Sequence, residues 1–171
     1  MAAPTHPILP LVFIGPMAAG KTKIGRKVAK SLDVPFIDTD HRIVALHGPI
    51  TDLFGQHGEE HFRVLERQAV VQALTEQAVV SLGGGAVLDE ETQADLAECS
   101  VVYLSVSARA VGARIGGAKR PLLTGGIADW KRIYALRRPI YEALAGIRFD
   151  TSHRPLGAIA DDVVKWTKKR S

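Results

Sequence analysis

Cysteine occurs once in the 171 residues, at Cys99, so no intrachain disulfide can form and the reducing cytoplasm is the expected location. Long hydrophobic runs are missing as well: no apolar stretch approaches the ~20 residues that a membrane-spanning helix needs. The opening MAAPTHPILP has neither a charged lead nor an extended apolar segment, and reads as a short mobile lead rather than a secretion signal. There is no repeat, no low-complexity linker and no basic patch interleaved with aromatics of the kind that stacks bases, so nucleic acid is not the expected partner. The excess of 22 Lys and Arg over 18 Asp and Glu, +4 overall, lies partly in the final KKR at 168–170. Those residues suit a solvated helix end and its dipole, and a basic balance also suits anionic small molecules. The rest is an ordinary globular composition, 46% hydrophobic and 23% charged, in a length that fits one domain with its own core.

Five short apolar, β-rich runs recur: LVFI (11–14), VPFI (34–37), AVVSL (78–82), VVYL (101–104) and IRF (147–149). Helical patterns fall between them at 21–32, 59–75, 107–115, 128–145 and 156–169. Strands alternating with helices of this length predict crossover connections and a parallel sheet covered on both faces. In such sheets ligands bind beyond the carboxyl ends of the strands, which tells us where to look for chemistry.

Beyond LVFI lies GPMAAGKTKIG, with Gly15, Gly20, Lys21 and Thr22 in the spacing G-x-x-x-x-G-K-T. A loop of this kind wraps a polyphosphate with backbone N–H groups, its lysine reaches the β and γ oxygens, and its hydroxyl takes a place on Mg²⁺. A tight turn between strand and helix would also use glycine. The context favours the phosphate reading, because a β-rich run precedes the loop and Ile24, Val28 and Leu32 follow at helical steps. Ala18 stands where many such loops carry another glycine, and alanine tolerates positive φ less easily.

The second and third strand ends add to the same edge. DTD follows VPFI, placing Asp38 and Asp40, which face one cleft if strand geometry persists that far. One carboxylate would serve Mg²⁺ and the other would orient an acceptor hydroxyl and take its proton; a helix cap is the competing use for an aspartate here. GGG at 83–85 follows AVVSL, and three glycines after a buried strand point to backbone brought close to a ligand. Arg63 and Glu66 lie three apart on one helix face, as a surface ion pair would. Arg120 sits in GGAKRPLLTGG (116–126), where glycine pairs at both ends suit a hinged lid that excludes water. Arg137 and Arg138 open RRPIY, whose Pro139 is expected to bend or restart the helix. Together the arginines offer two-pronged recognition of carboxylate or phosphate.

The ordered set GPMAAGKT, DTD, EEHFR, SLGGG, RPLL and RRPIY, spread over residues 11–160, closely resembles the shikimate kinase family. The resemblance implies a P-loop kinase of the nucleoside-monophosphate-kinase type in one domain over 1–171, an α/β fold whose five-stranded parallel sheet runs 2-3-1-4-5. It further implies a shikimate-binding segment at 40–70, a lid at 112–126, and transfer of the ATP γ-phosphate to the 3-hydroxyl of shikimate on the way to chorismate and the aromatic amino acids. By position, Lys21 matches the phosphate lysine, Thr22 and Asp38 the Mg²⁺ residues, and Asp40 the acid at the shikimate hydroxyls. Arg63 and Arg137 match the carboxylate arginines, Glu66 their supporting acid, and Gly83, Gly84 and Gly85 the backbone cradle. Arg120 matches the lid arginine, and Arg114 and Arg154 fall where the family packs adenine; Gly15, Ala18, Ala19, Gly20 and Lys23 complete the nucleotide loop. A monomer is implied. Ala18, Lys23 and Pro49 depart from the family's usual residues, and the proline after Arg154 departs from the usual spacing. The residues alone leave open another small polyhydroxy acid or a nucleotide as acceptor, or a nucleotide-binding regulator without turnover.

Overall fold

A computed structural model describes residues 9–115 and 125–170. The opening residues 1–8 and most of the glycine-flanked flap, with Arg120, lie outside the described residues. The chain runs β1 (Leu11–Ile14), α1 (Lys21–Leu32), β2 (Phe36–Asp38), α2 (Thr39–His47), α3 (Ile50–Ala73), β3 (Val79–Ser81), a 3₁₀ turn (Ala86–Leu88), α4 (Glu90–Leu96), β4 (Ser100–Ser105), α5 (Ala108–Arg114), α6 (Ile127–Leu144), β5 (Ile147–Asp150) and α7 (Leu156–Arg170). The five strands form one sheet in the order β2-β3-β1-β4-β5, every pairing parallel.

The strands are short because both faces are buried, and period two sorts their residues between two cores. Leu11 and Phe13 of β1 join Val102 and Leu104 of β4 against α1 and α7. Val12 and Ile14 join Val101 and Tyr103 on the other face, with Val70 and Ala73 from α3 and Tyr141 from α6. A third, smaller core of Ile43, Leu53, Phe62 and Leu65 binds α2 to α3. Six of these strand residues, Leu11, Val12, Phe13, Val102, Tyr103 and Leu104, have no exposed surface at all.

Several boundaries differ from the sequence pattern for local reasons. β2 begins at Phe36 rather than at residue 34, because the Val34 N–H closes the end of α1 onto Ala29 O (3.0 Å) and Pro35 has no N–H to give. The helical pattern at 59–75 is the second half of a longer element, interrupted at Gly58 (φ 81°, ψ 173°). α2 and α4 were not anticipated, each being short with two buried residues. α4 nevertheless carries a readable start: the Asp89 side chain accepts from the Thr92 N–H and two glutamates follow in the first turn. Pro139 lies inside α6, which runs as one helix through it.

Candidate active site

The nucleotide loop leaves β1 through Gly15, where φ is 148° and a Cβ would come within 2.3 Å of the Leu104 carbonyl oxygen. Any side chain there would drive the loop off the sheet, so the first glycine answers to packing as well as to phosphate. Gly20 caps α1 in the left-handed region, and the first N–H groups of α1 have no carbonyl behind them within the helix. Ala18 also adopts φ 66°, the conformation in which the sequence expects a glycine. Ala19 is fully buried in the core and gives the loop its backbone alone. Lys21 Nζ donates to Gly15 O (2.8 Å) and Pro16 O (3.0 Å), folded back over the cradle.

A cavity of about 640 Å³ opens along this edge, lined by Met17, Ala18 and Gly20–Lys23 of the loop, by Asp38 and Asp40, by Ser81–Gly84 and by Arg114. Thr22 Oγ1 donates to Asp38 Oδ2 at 2.9 Å, so the hydroxyl and carboxylate assigned to Mg²⁺ converge. The other Asp38 oxygen accepts the His41 N–H (3.1 Å) and caps α2: the aspartate serves cap and site at once. Strand geometry stops there, and Asp40 reaches the cavity from the first turn of α2. Thr39, fully buried between the two acids, fixes their loop to the third strand end, accepting from Gly83 N–H (3.3 Å). Nothing in the DTD spacing singles out this threonine.

The triple glycine proves to be a floor under charged side chains. A Cβ at Gly83 would lie 2.6 Å from Asp40 Oδ1 and 2.9 Å from Glu66 Oε2; one at Gly85 would lie 2.5 Å from both terminal nitrogens of Arg63; one at Gly84 would lie 3.4 Å from Arg137 Nη1. Arg63 donates to Glu66 (2.7 Å) and Glu59 (3.1 Å). This is no surface pair, since Glu66 is only 3% exposed and Arg137 beside it 6%. Burial pushes the Glu66 carboxyl above the ordinary carboxylate range, with Arg63 and Arg137 pulling it back and Asp40 adding to the rise. Burial opposes the Arg63 charge too, but Glu66 and Glu59 more than compensate and hold the guanidinium above its ordinary value. Tyr141 donates its hydroxyl to the Gly84 carbonyl and fixes the cradle to α6.

The remaining residues divide. Arg114 lies on the loop, donating to Ala18 O (2.8 Å) and Thr151 O (2.7 Å). Arg154 instead pairs with Asp162 of α7 (2.6 Å) and is not among the cavity-lining residues. Lys23 lines the cavity from the first turn of α1.

A phosphate-binding loop at the central strand, a hydroxyl–carboxylate pair beside it and a cluster of two arginines and a buried glutamate packed on Gly83–Gly85 at the same edge of a 2-3-1-4-5 sheet together define a small-molecule kinase of the P-loop class. The family model described as shikimate kinase matches residues 17–168. Shikimate kinase of Thermobifida fusca is 46% identical over 149 residues, 84% of this chain and 87% of that protein. Shikimate kinase of Mycobacterium avium is 43% identical, with 90% of each covered. The structure of shikimate kinase from Acinetobacter baumannii in complex with shikimate superposes with a TM-score of 0.90 at 28% identity, over 94% of this chain and 93% of that one. The chain belongs to the shikimate kinase family.

Proposed function

We propose that this protein transfers the γ-phosphoryl group of ATP to the 3-hydroxyl of shikimate, and that a single nucleoside-monophosphate-kinase-like domain carries both sites. The observation that carries the acceptor assignment is the packing of Arg63, Glu66, Arg137 and Asp40 onto Gly83–Gly85, of which Asp40, Gly83 and Gly84 also line the nucleotide cavity. Two guanidiniums held over bare backbone make a rigid receptor for a carboxylate, and Asp40 stands beside them for a hydroxyl. The A. baumannii relative, solved with shikimate, supports the same acceptor here.

In the reaction the acceptor oxygen forms a bond to the γ-phosphorus, the bond from that phosphorus to the β–γ bridging oxygen breaks, and ADP leaves. Asp40 orients the hydroxyl and accepts its proton. Lys21, already over the loop, moves from the Gly15 and Pro16 carbonyls to the β and γ oxygens. The resemblance gives Arg120 the γ-phosphate from the lid side. Mg²⁺ fits the donor set, because Thr22 Oγ1 and Asp38 are hard oxygen ligands already 2.9 Å apart; the ion neutralises phosphate charge when it is bound. Gly83–Gly85 keep the acceptor near the phosphoryl donor, so that positioning and charge stabilisation supply the rate.

A coupled ADP-release assay with shikimate, other polyhydroxy acids, nucleoside monophosphates and neutral polyols tests the reading. Shikimate is expected to dominate, and Arg63→Ala to raise its KM more than ~10-fold with the KM for ATP nearly unchanged. Equal turnover of a neutral polyol would replace shikimate as the acceptor, and phosphate on another hydroxyl by phosphorus NMR would overturn the 3-hydroxyl. The proposal extends to a Mg²⁺-dependent monomer in the cytoplasm, the Thr22–Asp38 pair supporting the ion and the free Cys99 the reducing compartment; loss of activity on chelation and a monomer mass in sedimentation are its checks. No helix among the described residues is long and apolar enough to cross a membrane.

A further inference from the structure

Three consecutive carbonyls of the nucleotide loop each accept a hydrogen bond from a side chain of a different element. Trp130 Nε1, in the first turn of α6, donates to Met17 O (2.9 Å). Arg114, ending α5, donates to Ala18 O (2.8 Å). Thr151, one residue past β5, donates its hydroxyl to Ala19 O (2.7 Å) and accepts from Arg114 Nη1 (3.3 Å). Thr151 has no exposed surface and Trp130 is 3% exposed. We infer that Thr151 and Trp130 are positioning residues for the nucleotide, holding the loop carbonyls outward so that its N–H groups face the phosphates.

The trans peptide is planar, so the carbonyl of one residue and the N–H of the next point in opposite directions. Met17 O held by Trp130 turns the Ala18 N–H away from α6, and Ala19 O held by Thr151 turns the Gly20 N–H away from β5. Ala18 and Gly20 both line the cavity. The intervening Ala19 N–H closes a turn onto Pro16 O (3.3 Å), so the anchored peptides on either side of it are the ones left to meet an anion. A loop already in that arrangement loses little freedom when ATP arrives. Without the anchors its peptides can rotate, and a carbonyl turned inward would repel the phosphate. Thr151 also receives Arg114, so the side chain that the resemblance places at the adenine and the backbone that holds the phosphates share one buried hydroxyl.

This inference rests on the nucleotide half of the kinase reading, and its deciding measurement, ADP binding, needs no acceptor. ADP binding is measured by calorimetry for the parent, Thr151→Val, Thr151→Ser and Trp130→Phe. Valine keeps the shape and removes the hydroxyl, and phenylalanine keeps a ring and removes the N–H. Thr151→Val and Trp130→Phe are each expected to weaken ADP about 5- to 10-fold, as the loss of one hydrogen bond implies. Thr151→Ser is expected to stay within about 2-fold of the parent, and the KM for shikimate within about 2-fold in all three variants. Parental ADP affinity in Thr151→Val and Trp130→Phe overturns the inference, as does a serine variant no better than valine, or a parallel loss of ADP and shikimate. Should Thr151→Val fail to fold, Trp130→Phe decides alone. A parent that binds ADP yet phosphorylates no shikimate refutes the acceptor assignment and leaves the anchor test intact.

Discussion

Gly85→Ala separates what a glycine does for the backbone from what it does for the site. Gly85 sits at φ −95°, ψ −1°, which alanine adopts without strain, so the substitution costs the backbone nothing. By restricting the unfolded chain it stabilises by about 0.4–1 kcal/mol if nothing else changes. The new methyl, however, would lie 2.5 Å from Nη1 and Nη2 of Arg63, and ordinary contact begins at 3.4 Å, so the guanidinium must retreat by 0.9 Å. Its side chain is flexible enough to do so at small cost in stability, but the receptor for the carboxylate then moves with it. A misplacement of about 1 Å costs as much as ~100-fold in a positioned reaction. The expected result is a KM for shikimate raised about 10- to 100-fold, a KM for ATP within about 2-fold, and a melting temperature at or slightly above the parent's. Gly84→Ala provides the internal control, since its Cβ stops at 3.4 Å from Arg137. Steady-state kinetics of the two variants with thermal melts on the same samples decide the matter. Wild-type kinetics in Gly85→Ala, or a loss confined to ATP, would refute the claim that this glycine makes room for an acceptor-binding arginine.

Lys21→Ala should collapse phosphoryl transfer while ADP retains part of its affinity through backbone N–H groups, because the lysine acts on charge that develops at the β and γ oxygens; turnover within a few-fold of the parent in the coupled assay would remove the loop from the reaction. Ala18→Gly should raise stability toward urea by up to ~1 kcal/mol, since the left-handed φ of 66° costs alanine roughly 1–2 kcal/mol and the added freedom of the unfolded chain returns only part of it; a loss above ~1 kcal/mol would refute the strain. Burial pushes the Tyr141 phenol up to about 12, with Arg137 opposing, and burial with the Tyr134 hydroxyl raises Tyr103 as well. Both phenols are protonated in the folded protein where the unfolded chain would ionise near pH 10, so the contribution of each to stability is full below about pH 10 and falls as pH rises, that of Tyr141 being lost through about 12 and that of Tyr103 at higher pH still. Ultraviolet titration should therefore show Tyr103 and Tyr141 still protonated at about pH 11 in the native state and ionised in denaturant; a native phenolate signal equal to that of the denatured chain at that pH would contradict the burial.

The residues that could be read without coordinates are those whose chemistry is local. G-x-x-x-x-G-K-T after a β-rich run carries its own turn, its own helix start and its own charge, so Gly15, Gly20, Lys21 and Thr22 were legible one after another. The five strands were legible because burial on both faces demands short apolar runs, and the positions just past their ends pointed to Asp38, Asp40 and Gly83–Gly85. Thr151 stands one residue past the fifth strand and the same rule would have reached it. Trp130 had no such signal, for nothing in an amphipathic helix tells which of its residues will meet a carbonyl 113 positions earlier.

Beyond the family resemblance, tertiary structure decided the rest. The order 2-3-1-4-5 came from the family resemblance, since alternating strands and helices permit several sheet orders. Asp40 moved from a strand face to a helix turn because the cap at Asp38 ends β2 one residue after Ile37. Glu66 and Arg63 share one helix face in any reading; only the approach of Gly83–Gly85 from the neighbouring strand turns that face inward, changing a solvated pair into a buried receptor. Arg154 follows the same logic in reverse, since the packing of α7 brings Asp162 within 2.6 Å of it. Spacing along a chain fixes what a residue can do, whereas its surroundings, which set burial, charge and reach, depend on elements far away in sequence.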